Sequence, residues 1–279
     1  MAYPQVAAPY GLKPINLIGG QVFAGATRSL PIQYGYATDI GYGDFVKLVR
    51  GTIQRQAVST AGGAAGMVGI FLGCSFTNPV TKQKTFSQYW PAGTAAGDAV
   101  AIVCDDPDTV FQAVVCSSGT TVASASVAMI GQNYQMIDNN PNLNTGDSTN
   151  ALLYSSTLTT GTFPIRVVGL VPDTAITTSA TGSSSSTTIT LTGSGLPSAI
   201  PAGTDVAYVA SNGQLIETGS FVTTAAAAGA TSVTINAAIA VPGGVTAIPA
   251  SSTIVFTQYP EMLVKINFGI HEYYTATAV

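Results

Sequence analysis

GMVGIFLGCSF, residues 66–76, opens the stretch of sequence that decides the fold, which extends to Val115. Its apolar side chains recur at every second position, with Gly, Phe71 and Ser between them. A period of two places successive side chains on opposite faces of a β-strand. The segment therefore predicts a strand whose buried face is formed by Val68, Ile70, Leu72, Cys74 and Phe76.

Three further short strands follow within this stretch, at Lys84–Trp90, Asp98–Cys104 and Val110–Val115. Residues typical of turns separate them, including a Cys104–Asp108 corner with the sequence CDDPD. Short strands separated by Gly, Pro, Asp and Asn are typical of compact β-folds. The sequence predicts an all-β protein with a barrel-like body, of either tulip or sandwich form.

Charge and hydropathy exclude several functional classes. The 279-residue chain has a formal charge of −4, with nine scattered basic residues, so nucleic acid is not an expected partner. Apolar runs such as Met67–Cys74 are far shorter than the roughly 20 residues of a spanning helix, so no membrane partner is expected. Because only 8% of the residues are charged, we expect much of the surface to be covered by other subunits.

The N-terminus and the three cysteines predict synthesis in a cytoplasm. Residues 1–6 have neither the basic start nor the apolar core of a secretory signal. Cys74, Cys104 and Cys116 form neither an even framework nor a metal-ligand spacing, which predicts buried, reduced thiols. A disulfide between Cys104 and Cys116, which bracket the acidic corner, is the less favoured alternative.

Residues 1–35 have the composition of an extended arm. Four prolines and the Gly19-Gly20 pair exclude a helix of useful length, yet the segment contains several large apolar side chains. Such an arm must lie on a protein surface. It either wraps its own body or adds a strand to a neighbouring subunit, and both can hold.

The composition changes at Pro172. From Pro172 to Gln258 there are three acidic residues and no Lys or Arg, while Tyr259–Tyr274 returns to the earlier composition. Met262 to Phe268 alternates as a half-buried strand, which we expect to pair with Ile165–Val171 or its neighbours. The sequence thus predicts a body of 36–171 plus 259–279, with 172–258 as an inserted β-sandwich (Ig-like) module. Tandem domains with a C-terminal tail are the alternative.

A weak repeat lies within the module. TTITLTGSGLPSAIPAGTDVAYV (187–209) is similar to 231–257, with Ile189 and Leu191 corresponding to Val233 and Ile235. Each copy predicts two strands joined by a Gly/Pro turn in a hairpin-like unit. The Ser183–Ser186 run predicts a linker or loop tip.

No group of residues predicts catalysis. The single histidine, His271, is either a lone acid/base or an interface or surface residue, and the second is favoured because no partner groups are evident. Asp105, Asp106 and Asp108 lack the remaining ligands of a calcium loop, which favours a plain turn. Asp39 and Asp44 lie in Gly-rich turns with no basic or nucleophilic partner nearby in sequence. We expect no catalytic, cofactor-binding or metal-binding residues and no cofactor.

Four segments together resemble a family of tailed-bacteriophage head-decoration, or cement, proteins. They are YGLKPINLIGGQVFAGATR (10–28), YGDFVKLV (42–49), GIFLGCSFTNPVTKQKTFSQYWPAGT (69–94) and YPEMLVKINFGIHEYY (259–274). The resemblance covers 10–171 and 259–275 and omits the module, which favours the insertion over the tandem arrangement. Its motifs are structural, and it implies no catalytic residues.

The resemblance implies a structural virion protein on the outer surface of a phage capsid, made in the bacterial cytoplasm. The expected partners are two further copies in a homotrimer, the major capsid protein, and neighbouring cement subunits contacted through the arm. The 172–258 module is expected to project outward, as a spacer or as a weak binder of host-surface glycans. A tail or head fibre for host attachment is the alternative function, and a polysaccharide hydrolase is less favoured because no carboxylate pair is identifiable.

Overall fold

The computed structural model describes residues 6–57, 66–154, 163–239 and 246–274. Within them the regular structure is β-strand, apart from two short 3-10 turns at Val127–Met129 and Pro172–Thr174. None of the described helical segments has the length and apolar character that a membrane span requires.

Twenty strands follow one another in the described parts of the chain. The first ten are β1 (Lys13–Leu17), β2 (Arg28–Pro31), β3 (Phe45–Val49), β4 (Thr52–Arg55), β5 (Gly69–Thr77), β6 (Lys84–Ser87), β7 (Val100–Cys104), β8 (Thr109–Ser118), β9 (Thr121–Val122) and β10 (Asn133–Tyr134). The others are β11 (Met136–Ile137), β12 (Ala151–Leu153), β13 (Ile165–Leu170), β14 (Ile176–Ser185), β15 (Thr188–Leu191), β16 (Asp205–Val209), β17 (Leu215–Phe221), β18 (Ser232–Thr234), β19 (Ser252–Gln258) and β20 (Glu261–Ile266).

These strands confirm the predicted all-β class. They form three sheets, one of eight strands and two of six, none of them closed into a barrel. Of the two body forms that the sequence left open, the structure is therefore consistent with the sandwich.

The chain divides into two compact units. The first contains Ala123–Ile130 and Gly169–Met262 together with the N-terminal end, and the second contains Ala7–Val122, Gly131–Val168 and the residues from Leu263 onward. The predicted module, 172–258, lies within the long segment of the first unit, whereas the inclusion of Ala123–Ile130 was not expected. The division into arm, body and inserted module stays a prediction.

One six-stranded sheet of the second unit contains the first three strands of the decisive stretch, β5, β6 and β7, while β8 belongs to the eight-stranded sheet. The order of the six-stranded sheet is β2-β7-β5-β3-β4, with β6 paired to the other end of β5. The core beside it includes Trp90, which is fully buried and meets Phe76 edge-on with ring centroids 5.5 Å apart. Predicted and observed strands coincide closely here because the alternation is strong and the turns carry Gly, Pro and Asx residues.

The predicted buried face of β5 is wrong at Leu72, whereas Cys74 and Phe76 are buried as predicted. A β-bulge between Phe71 and Gly73 shifts the register against β7, so Phe71 joins Cys74 and Phe76 in the core while Leu72 is only half-buried. A bulge inserts one extra residue into a strand, which exchanges the two faces for the residues that follow. The alternation of side chains between the two faces of β5 is therefore regular before the bulge and after it, but not across it.

Gly69 on β5 is required by a close backbone approach. A Cβ atom at this position would lie 2.2 Å from the carbonyl oxygen of Cys104 on β7. We expect Gly69→Ala to lower the free energy of unfolding by about 1–3 kcal/mol, because rigid backbone must move to accommodate the methyl group. Urea denaturation measures the effect. Gly97→Ala is the matched control, since no atom lies within 4 Å of a Cβ atom there, and equal losses in the two variants would contradict the prediction.

Two segments of the N-terminal arm pair with the chain's own sheets. Strand β1 pairs antiparallel with β8, and β2 pairs antiparallel with β7 as an edge strand. The arm thus lies on its own chain, which is one of the two alternatives that the sequence left open. Strand addition to a neighbouring subunit stays a prediction.

The C-terminal strand lies where the sequence placed it. Strand β20 is the neighbour of β13 in the eight-stranded sheet, whose order is β10-β13-β20-β8-β12-β11. Its buried apolar residues are Met262, Val264 and Ile266, as the alternation predicts. The strand ends there, however, and Phe268 is exposed in a following turn rather than buried.

The other six-stranded sheet belongs to the first unit, in the order β17-β16-β19-β14-β15-β18. The sequence repeat is visible in its pairing, because Ile189 of β15 lies opposite Val233 of β18, and β16 pairs with β19. Equivalent strands of the two copies thus pair with each other. The prediction of two hairpin-like copies is wrong, because β15 and β16 are not neighbours.

Strand β14 was missed in the sequence. It spans Ile176–Ser185 and pairs with β19 along seven residues, so the serines expected in a loop tip are largely strand, with the turn at Ser186. Its short polar side chains carry little apolar pattern. Hydrogen bonds of these polar side chains help to hold the strand instead. For example, the hydroxyl of Ser184 accepts a hydrogen bond of 2.7 Å from the backbone N–H of Ile248.

Candidate functional site

The Asp105–Asp108 corner of the second unit is a turn. The Asp106 carboxylate accepts a hydrogen bond of 2.9 Å from the backbone N–H of Asp108, an Asx arrangement that stabilises the turn locally. The other two carboxylates of the corner, those of Asp105 and Asp108, contact residues outside the turn. Across the described residues, no three His, Cys, Asp or Glu side chains are grouped to hold a metal ion.

Two of the three carboxylates of the corner have cationic partners, whereas Asp106 has none among the described residues. Asp105 is buried and accepts hydrogen bonds from the guanidinium of Arg28 and the hydroxyl of Tyr273. Lys265 lies 3.5 Å from a carboxylate oxygen of Asp108. The corner therefore presents little unpaired negative charge to a partner.

His271 lies beside this corner and is fully buried, so the expectation of a surface or interface histidine is wrong for this position. Its Nδ1 accepts a 3.4 Å hydrogen bond from the N–H of Tyr273, and its Nε2 has no hydrogen-bond partner among the described residues. Burial lowers the pKa of His271, while the nearby Asp105 and Asp106 raise it to a smaller extent. The imidazole is held as a neutral, packed ring, and the lone acid/base role stays untested.

Aromatic rings surround the histidine on the exposed side. Phe268 and Tyr274 stack with centroids 4.1 Å apart, and the guanidinium of Arg28 lies 5.1 Å from the Tyr273 ring centre. Phe268 is 63% exposed, and both tyrosines are nearly half exposed. Offset aromatic pairs and cation–π contacts keep such side chains ordered before any partner binds.

The arm supplies apolar side chains to the same region. The backbone N–H of Ile18 donates a 2.9 Å hydrogen bond to the carbonyl oxygen of Asp108, and Val22 pairs with Asn16 in a tight hairpin. Val22 is 80% exposed and Ile18 is half exposed. We call the exposed residues of the Asn16–Val22 hairpin and of the C-terminal segment beside the corner the turn surface: Ile18, Val22, Phe268, Tyr273 and Tyr274.

The turn surface combines features that sequence reasoning considered separately. The arm, the acidic corner, His271 and the C-terminal segment are up to about 260 residues apart in sequence, yet hydrogen bonds and ring contacts join them. In the sequence, the apolar residues Ile18 and Val22 and those of the 268–274 segment were the signal that could have indicated this surface. Aromatic side chains and Arg with neutralised carboxylates are the composition of a protein-binding surface rather than of a catalytic centre.

A second polar cluster, around Asp44, is buried in the same unit. The Asp44 carboxylate accepts hydrogen bonds from the Ser148 hydroxyl, the Asn150 amide and the N–H of Gly41, and lies 3.2 Å from Nε of Arg55. Sequence reasoning missed Ser148 and Asn150 because they lie 104 and 106 residues from Asp44 along the chain. Burial raises the pKa of Asp44, whereas Arg55 and the hydrogen-bond donors lower it. Three hydrogen-bond donors and a guanidinium hold the carboxylate inside the unit, which indicates a structural role.

The cysteines are buried and unpaired, as the sequence predicts. Burial raises the pKa of Cys74 to about 12 and that of Cys116 to about 11. Thiols react as thiolates, so neither group is a nucleophile near neutral pH.

One carboxyl group of the first unit has a strongly shifted pKa. Burial raises the pKa of Asp205 to about 7, with a further contribution from Glu217. A hydrogen bond of 2.8 Å from the N–H of Val127 opposes the rise. Asp205 therefore connects β16 to the Ala123–Ile130 segment of the same unit, and its charge changes near neutral pH.

In comparisons with known proteins, no family model, curated protein or solved structure matches the chain.

Proposed function

We propose that this chain is a structural virion protein that decorates a bacteriophage capsid, without enzymatic activity. In this role it binds the outer surface of the head as a homotrimer and bridges major-capsid subunits. The segments at 10–28, 42–49, 69–94 and 259–274, which resemble cement proteins, suggest this class. The outward-projecting part would be the 172–258 segment, which has few charged residues.

The observation that carries the proposal is the turn surface. It is apolar, partly pre-ordered by ring stacking, and two of the three neighbouring carboxylates, Asp105 and Asp108, already have partners within the chain. Such a surface favours contact with another protein, because binding buries apolar area without stripping water from unpaired charge. A stable contact buries about 1,200–2,000 Å², and many weak copies on one shell add by avidity.

The arm pairs with strands of its own chain, and this limits the experiments that can test its contacts with neighbouring subunits. Deleting residues 1–30 would remove β1 and most of β2 from their sheets, so lost binding would not distinguish misfolding from a lost contact. The hairpin from Asn16 to Val22 and the exposed residues that follow are the part available to neighbours. Point substitutions there leave the strand pairings intact.

The variant Val22→Ser/Phe268→Ser is expected to lose self-association and capsid occupancy while it stays folded. Both side chains are largely exposed, so their replacement removes partner contacts and few contacts within the chain. Sedimentation measures the oligomer, and electron microscopy of particles that carry the variant measures occupancy. We expect occupancy to fall at least about tenfold if each site contributes roughly 1.4 kcal/mol or more.

Val80→Ser is the matched control, because Val80 is 85% exposed but lies in the Asn78–Gln83 turn away from the turn surface. The proposal requires the control to assemble as the unmodified protein does. Full occupancy of the double variant would overturn the role of the turn surface.

Host attachment through a tail or head fibre is the second candidate function. It is favoured by a cavity of about 590 Å³ in the first unit, between the β16–β17 turn and Pro249–Thr253, whose lining has no charged side chain. Copy number separates the two functions. A number that matches tail symmetry favours the fibre, and hundreds of copies per head favour the cement protein.

A further inference from the structure

A surface cavity of about 570 Å³ lies in the second unit, in a gap along one edge of β5. Strand β3 pairs with β5 only at Gly69 and Ile70, and β6 pairs with it from Cys74 to Thr77. Leu72 and Gly73, at the bulge, lie between these two partners and line the cavity. The cavity is thus a consequence of the same bulge that changes the faces of β5.

Glycine at position 73 keeps the cavity floor open. Its φ is +136°, a conformation that L side chains rarely adopt, and a Cβ atom would lie 3.0 Å from the carbonyl oxygen of Ser87. The bulge and the glycine together form a depression that the fold does not fill with its own side chains.

Apolar side chains form the walls. Phe86 on the edge strand β6 is 80% exposed, and Ile102 on β7 lies opposite Gly73 and is also exposed. Leu72 and Tyr42 complete the apolar lining. These side chains meet at one cavity, unlike singly scattered exposed residues, which need no explanation.

Polar and charged side chains, of both positive and negative charge, also line the cavity. Nε2 of Gln88 donates a 2.9 Å hydrogen bond to Asp147, which orders both side chains and leaves acceptor capacity on each. Lys13 also lines the cavity, with its ammonium 4.3 Å from the Tyr10 ring centre and no carboxylate within ion-pair distance in the described parts of the chain. The charged lining is one ammonium and one carboxylate.

We propose that this cavity binds a neutral saccharide. A pyranose has apolar C–H faces that pack on Phe86 and hydroxyl groups that both donate and accept, as Lys13, Gln88 and Asp147 require. A wholly apolar ligand would desolvate both charges without compensation, and an anion would be repelled by Asp147. Apolar walls with a few fixed polar groups are the usual composition of small-ligand sites.

The test is saturation-transfer NMR on the full chain with maltose, cellobiose, lactose and chitobiose, and with sialyllactose as the charged probe. We expect transfer to at least one neutral disaccharide, about tenfold weaker binding for Phe86→Ala, and unchanged binding for Val80→Ala, the exposed control. Asp147→Asn is expected to weaken binding while it keeps an acceptor for Gln88.

Three results would overturn the proposal: no transfer to any neutral probe, transfer that Phe86→Ala leaves unchanged, or transfer to sialyllactose alone. The cavity residues are not part of the turn surface. The outcome of the saccharide experiment is therefore independent of whether the protein binds a capsid.

Discussion

Asp44→Ala is expected to lower the free energy of unfolding by about 3–5 kcal/mol, the largest effect of any single substitution considered for this protein. The change removes the fully buried carboxylate partner of Arg55, whose side chain is 8% exposed and which keeps only the partly exposed Asp138, 2.6 Å away, as an ion-pair partner among the described residues. It also removes the acceptor for the Ser148 hydroxyl, the Asn150 amide and the Gly41 N–H. Buried donors that lose their acceptor keep the full cost of desolvation. Urea denaturation followed by circular dichroism measures the loss.

The matched control is Asp98→Ala, at an ion pair near the surface. Asp98 lies 3.0 Å from Lys84, but each side chain is nearly half exposed, so we expect a much smaller loss. Equal losses for Asp44→Ala and Asp98→Ala would contradict the structural role of the buried cluster.

Asp205→Asn is expected to abolish a large pH dependence of stability in the first unit. Because the folded-state pKa is raised from 3.8 to about 7, the folded protein binds more protons than the unfolded chain between these values. This contribution to stability is therefore complete below about pH 4 and is lost as the pH rises towards and past 7. A shift of about three units corresponds to at most about 4 kcal/mol. The asparagine does not ionise and keeps an acceptor for the Val127 N–H, so above pH 7 we expect the variant to be the more stable protein.

The measurement is urea denaturation from pH 4.5 to 8.5, taken as the difference between the unmodified protein and the variant. Subtraction removes other titrations, including that of His271, whose lowered pKa makes stability rise with pH below about 6.5. Glu217→Gln is the control, because Glu217 contributes to the raised pKa and its removal should move the Asp205 midpoint to lower pH. A difference curve that is flat across neutral pH would refute the assignment.

The strands were predictable wherever alternation was strong and turns were marked. From Lys84 to Val115 the expected strands agree with β6, β7 and β8 within a few residues, and Met262 to Ile266 was recognised as half-buried. Prediction failed where the pattern of side chains carried no signal. Strand β14 is formed by Ser and Thr through backbone pairing with β19, and the bulge beside Leu72 depends on the register against β7.

The candidate site was less predictable than the fold. The Asp105–Asp108 turn could be inferred from its own composition, since an Asx turn needs only neighbouring residues. The partners of Asp105 could not, because Arg28 and Tyr273 approach it only after β2 pairs with β7 and the C-terminal segment folds back. The same reason explains Asp44, whose partners lie more than 100 residues away in the case of Ser148 and Asn150.

By itself the sequence determined the all-β class, the low charge, the buried unpaired cysteines and most of the strands, because these depend on composition and on neighbours along the chain. Only the tertiary structure decided which strands are partners, where the bulge opens a cavity, and that His271 is buried. It also brought the arm and the C-terminal aromatic residues to the acidic corner. Contacts between distant residues depend on sheet order and register, which local periodicity does not specify.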